Sequence, residues 1–145
     1  MLTRPASSRF WAAVAAAFAA AALVAACDPK VTLSDEGPSR PTKLTFSLQP
    51  ENTLAGQPIL PIAVTVLDNF GDTAFSSAAA VTLSIELGTG TAAAHLNGVT
   101  QVTATNGTAA FFNLSIDSTG TGYRLLASAD NLGSALSDSF TVARP

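Results

Sequence analysis

From residue 43 onward, hydrophobic and polar residues alternate with a period of two, the spacing that sends successive side chains to opposite faces of a β-strand. In 43–49 the alternation sets Leu44, Phe46 and Leu48 on one face. Ile62, Val64 and Val66 make a second apolar face. Pro58 and Pro61 mark its approach as irregular or edge-like, because proline brings no amide hydrogen to a ladder. In 81–87 the pattern is cleanest: Val81, Leu83, Ile85 and Leu87 face a core, while Thr82, Ser84 and Glu86 face water. The runs 123–129 and 139–142 continue it.

Turn chemistry punctuates these runs. Asn97-Gly98 and Asn106-Gly107 are two-residue hairpin signals, since both positions tolerate positive φ. They predict three short strands at 92–96, 99–105 and 108–116. A longer turn is expected at 68–72, and Gly120 and Gly122 introduce the strand that begins at Tyr123. Seven or eight short strands with no helical stretch predict an all-β fold, an antiparallel β-sandwich of about 100 residues at 43–143. Such a length buries a core without disulfides, at moderate stability.

The first 42 residues follow other rules. Residues 1–9 carry Arg4 and Arg9 and no acid, and 10–26 are an unbroken apolar run of 17 residues, rich in alanine. That is short for a bilayer span of about 20 residues, and fits a cleaved signal peptide at 1–26 better. The basic start leaves that end in the cytoplasm. The run closes with Leu23-Val24-Ala25-Ala26-Cys27, which resembles a bacterial lipobox. The resemblance implies that Cys27 becomes the mature N-terminus, with a diacylglycerol on its sulfur and usually a third acyl chain on its amine. Each buried methylene contributes about 0.8 kcal/mol, so two or three chains hold a protein that one chain would release. Cleavage after Ala26 without lipidation, or an uncleaved anchor, are the alternatives. Residues 28–42 hold three prolines, one glycine and several charges with no sustained period, so 27–42 are expected to form a lipidated N-terminus and disordered linker. The expected location is the cell envelope, in the outer or inner membrane, facing the periplasm or the surface.

Composition narrows the functions further. The mean hydropathy of +0.36 belongs largely to the apolar run. Removing 1–26, which hold two arginines and no acid, leaves five basic against ten acidic residues, a net charge of −5. Nucleic acid is therefore not an expected partner, because phosphate neutralisation needs a basic face. One cysteine excludes an intrachain disulfide framework, and no cofactor is expected.

The stretches Ala55-Gly56-Gln57, Val64 to Asp72 (VTVLDNFGD) and Val81-Thr82-Leu83 resemble a bacterial Ig-like domain of the invasin/intimin (Big) type. Leu96-Asn97-Gly98, Asn106 to Phe111, Asn113 to Ile116, Gly120-Thr121-Gly122-Tyr123 and Phe140-Thr141-Val142 fit the same pattern. The resemblance covers about 100 residues and implies an Ig-like sandwich serving as a spacer, adhesin or accessory module. Tyr123 stands where a tyrosine corner begins a late strand, its hydroxyl bonding back to the backbone.

Candidate chemistry is sparse. Asp68, Asn69 and Asp72 share one turn and offer oxygen ligands for Ca²⁺, although a calcium loop supplies six or more oxygens and these residues also favour plain turns. His95 is the sole histidine, and no GxSxG elbow accompanies the many serines, so catalysis is not expected. Phe70 and Phe75 lie in or just beyond the 68–72 turn. Phe112, out of phase with Phe111, points away from the core, and any two of these three brought together would make an apolar partner patch. The expected function is a non-catalytic, lipid-anchored structural, adhesion or protein-interaction module, joined to the membrane through its acyl chains and meeting an envelope or surface protein or glycan. A ligand-binding module for glycan or calcium is the alternative.

Overall fold

The computed structural model describes residues 38–145. Twelve strands follow in order: β1 (Pro41–Leu48), β2 (Thr53–Leu54), β3 (Ile62–Asp68), β4 (Ala80–Ile85), β5 (Leu96–Asn97), β6 (Gln101–Thr103), β7 (Thr108–Phe111), β8 (Ser115–Ile116), β9 (Gly120–Tyr123), β10 (Leu125–Ser128), β11 (Ala135–Leu136) and β12 (Phe140–Ala143). Among the described residues there is no helix. One sheet has the order β1-β3-β7, a second β11-β10-β4-β6, a third β2-β12-β9, and β5 pairs with β8. The count exceeds seven or eight because the runs expected at 108–116 and 123–129 are each broken in two and the two-residue strands β2 and β11 are added. Arg124 separates β9 from β10, and Ser137 to Ser139 separate β11 from β12. At the second break the Ser137 hydroxyl accepts the Leu125 amide at 2.9 Å and donates to the Asp138 carbonyl at 2.8 Å, replacing a ladder bond with a side chain. The strand pairings are antiparallel except β2 with β12, which run parallel, and an isolated parallel bridge joins Lys43 to Gly133.

The β-sandwich exists because the apolar faces of these sheets close on each other. Leu44, Ile62, Val64, Val66, Ala109 and Phe111 come from the β1-β3-β7 sheet. Val81, Leu83, Tyr123, Leu125, Ala127, Phe140 and Val142 meet them from the other side. All are buried, and each large aliphatic or aromatic among them contributes roughly 1.5–3 kcal/mol by leaving water.

Two residues expected in the core lie outside it. The β1–β3 register shifts between Phe46 and Leu48, so Ser47 is an extra residue and Leu48 pairs with Ala63. This bulge turns Leu48 to the outer face, half exposed. Leu87 is lost for a different reason. The strand stops at Ile85, Thr89 closes a turn onto the Glu86 carbonyl, and Leu87 at its tip is 94% exposed.

The two Asn-Gly pairs behave differently. Asn106 and Gly107 have φ of 51° and 76°, and Thr105 and Thr108 exchange amide–carbonyl bonds of 2.9 and 3.1 Å, as in a tight two-residue hairpin. That hairpin carries the chain from β6 in one sheet to β7 in the other. Asn97-Gly98 makes no hairpin, because β5 pairs with β8 rather than β6. Glycine is required there by close approach: a Cβ on Gly98 would lie 2.5 Å from the Asn113 carbonyl oxygen. The strand expected over 108–116 is broken at Asn113, whose φ of 59° separates β7 from β8.

Pairing fixes two ends. Pro41 lies opposite Asp68, the Gly107 carbonyl accepts Val66 N–H, and Gly133 N–H donates to the Thr42 carbonyl, so these segments share the end at which the chain enters. Ile62 pairs with Phe111 at the other end of β3, where β12 also finishes alongside β2.

Candidate functional site

Cys27 and the stretch before it that resembles a lipobox lie outside the described residues. The remaining candidates fall at opposite ends of the sandwich.

At the end where the chain enters, Asp68 organises the turn after β3. Its Oδ1 accepts the amides of Phe70 at 2.9 Å and Asp72 at 3.0 Å, and its own amide donates to the Asp72 carbonyl at 2.9 Å. Aspartate suits this position because its short carboxylate reaches amides two and four residues on. The other oxygen, Oδ2, accepts the Ser39 hydroxyl at 2.6 Å. Asn69 and Arg40 bond reciprocally: Arg40 N–H donates to Asn69 Oδ1 at 2.9 Å and Asn69 N–H to the Arg40 carbonyl at 3.0 Å. Thr42 Oγ1 completes the clasp by donating to the Asp68 carbonyl at 3.0 Å. The Ser39 bond, joined by amides of Asp72, Phe70 and Gly71, holds the Asp68 carboxyl below the usual carboxylate value against the opposing effect of burial.

The Asp68-Asn69-Asp72 group is therefore brought together in one turn, with the Asp68 oxygens and Asn69 Oδ1 committed to the chain itself. Among the described residues no three His, Cys, Asp or Glu side chains gather closely enough to hold a metal ion. The clasp also shortens the linker. β1 begins at Pro41, and Ser39 and Arg40 are already bonded to the turn.

The three phenylalanines do not form one patch. Phe70 sits at the tip of the Asp68 turn and Phe75 follows in the same connection, both exposed. Phe112 is exposed beyond β7, next to the residue that pairs with Ile62. It thus lies at the opposite end of β3, whose seven residues separate it from Asp68 by roughly 20 Å. Strand direction places exposed Leu48, Leu54, Leu60 and Leu87 toward the same end of the sandwich. Alternation assigns Leu48 and Leu87 to the core, and only the bulge and the turn expose them, whereas Leu54 and Leu60 stand outside any alternating run.

His95 is exposed, and it is the backbone amide of His95, not its ring, that donates to Asp117 Oδ1 at 2.9 Å. With the Ser118 hydroxyl also donating to Oδ1 and the imidazole nearby, Asp117 too is held below the usual carboxylate value. Tyr123 is fully buried and its hydroxyl donates to the Ser118 carbonyl at 2.9 Å, which is the corner bond expected of it. An open groove of ≈ 350 Å³ runs beside β2 and β12, lined by Asn52, Thr53, Leu54, Thr141 and Ala143, and contains no titratable side chain.

No protein-family model matches the chain, and no curated protein matches it. Among solved structures it is similar to the β-glucuronidase of Parabacteroides merdae. One structure of that protein aligns at 20% identity and a TM-score of 0.46 over 67% of this chain, and one with glycerol in its active site at 18% and 0.48 over 73%. The chain spans 12% of the length of those enzymes.

Proposed function

We propose that this chain is a bacterial Ig-like domain of the Big type carried on an envelope lipoprotein, acting without catalysis as a structural, adhesion or protein-interaction module. The observation that carries this reading is the polarity of the sandwich. The chain enters at the Asp68 clasp, and the exposed apolar residues Leu48, Leu54, Leu60, Leu87 and Phe112 collect toward the other end. A module anchored through Cys27 would hold its clasped end toward the membrane and present that far end to a partner. Loops and edges carried on a rigid sandwich are the usual seat of recognition. At that far end the parallel β2–β12 pairing fixes the segment of Leu54, and the Tyr123 corner ties down the loop before β9.

The test is site-specific photo-cross-linking in cells of the native host, with the probe at Leu60 or Phe112 and a control probe at Leu136. The reading expects a discrete adduct with one envelope protein from the far-end positions, lost in Cys27→Ala. An identical adduct in Cys27→Ala, or none from either far-end position, contradicts it.

A further inference from the structure

We infer that the turn at 68–72 and the connection after it are a membrane-apposed face, with Phe70 and Phe75 entering the boundary between lipid headgroups and acyl chains. This rests on the proposed acylation of Cys27. The argument begins with the clasp. Ser39, Arg40 and Thr42 are hydrogen-bonded to Asp68 and Asn69, so the chain leaves the sandwich beside Phe70 and in a fixed direction. Only 28–38 then remain between the acylated residue and the first clasped one, a reach of about 36 Å at full extension. This keeps the clasped end close to the bilayer, where attachment raises its effective concentration so far that even weak lipid affinity is expressed.

The chemistry of that end suits a lipid surface. Phe75 is 73% exposed and Phe70 nearly half, although other phenylalanines of the chain, Phe111 and Phe140, are buried. Exposed aromatic and aliphatic side chains beside cations are what interfacial binding uses. Of the four described cations, Arg40 and Lys43 lie at this end. The turn also carries the acids Asp68 and Asp72, the first hydrogen-bonded by Ser39 and two amides, so insertion rests on the exposed rings rather than on a net positive charge.

A tryptophan probe tests this, because Trp11 is the only tryptophan and precedes Cys27. The lipoprotein is purified from its host's membranes as Phe75→Trp, Phe70→Trp and Phe112→Trp, its acylation and the removal of residues 1–26 read by intact mass. Each is reconstituted in phosphatidylcholine/phosphatidylglycerol vesicles with or without brominated acyl chains. The expected result is that Phe75→Trp and Phe70→Trp lose about half of their emission to the brominated lipid while Phe112→Trp loses almost none. Acylated protein with neither near-end probe quenched overturns the inference and leaves the anchoring intact. Stronger quenching of Phe112→Trp overturns it by reversing the orientation. Protein that carries no acyl chain overturns the anchoring and this inference together. Because Phe75 is largely exposed, its replacement leaves the core untouched.

Discussion

Replacing Tyr123 by phenylalanine removes one oxygen and keeps the ring. That ring is fully buried, with its centroid 5.9 Å from that of Phe140 at 34°. What is lost is the 2.9 Å bond to the Ser118 carbonyl, which ties β9 back to the loop before it. A typical intramolecular hydrogen bond contributes about 1 kcal/mol net, and a partly buried carbonyl left without its donor raises the cost to about 1–2 kcal/mol. For a domain of roughly 100 residues each kcal/mol shifts Tm by about 4–8 °C, so the expected drop is about 4–16 °C. Urea unfolding followed by far-UV circular dichroism should show a lower midpoint with an unchanged slope, because the surface exposed on unfolding is the same. A loss below about 0.3 kcal/mol would refute the assignment of the corner as a stabilising tie. A changed slope would mean that the substitution acts on the unfolded ensemble instead.

Three further outcomes follow from the same geometry. Phe111→Ala should destabilise by about 3–5 kcal/mol, whereas Phe112→Ala, one residue on but more than half exposed, should stay within about 0.5 kcal/mol. Equal losses in denaturant melts would contradict the side-chain phase of β7. The folded Asp68 carboxyl lies below its ordinary value of 3.8, so its contribution is complete above that value and is lost as pH falls through the lower folded one. Asp68→Asn should flatten the acid limb of a stability–pH curve, and superimposable limbs would refute the clasp. Because Asp68 already spends both oxygens on the chain, millimolar Ca²⁺ should shift Tm by less than about 1 °C in calorimetry, and a concentration-dependent rise would reinstate a calcium site.

Period-two alternation carried most of the core because burial acts on each strand separately. Ile62, Val64, Val66, Val81, Leu83, Phe140 and Val142 are buried as their phase requires. The errors arose where a strand's end depends on its neighbour. Nothing near Leu48 announces the bulge that turns it outward, since the extra residue is defined only against Ala63 on β3. Likewise Asn97-Gly98 has a hairpin's composition, but its strand is claimed by Ser115 and Ile116. The clasp was illegible for the same reason: Ser39 and Arg40 read as linker, and their partners are 29 residues away. The separation of Phe70 and Phe75 from Phe112 follows from the β3–β7 register, which no local pattern encodes. Tyr123 was legible because its bond is made to a carbonyl five residues back, within a single corner.

The central claim is that an acylated Cys27 anchors this sandwich in the bacterial envelope. The measurement that tests it most directly is the intact mass of the protein extracted from membranes of its own host, beside a Cys27→Ala variant. The account predicts a chain beginning at Cys27 and carrying two or three acyl chains, with the variant unacylated. A chain without acyl groups, or one still carrying residues 1–26, would contradict it.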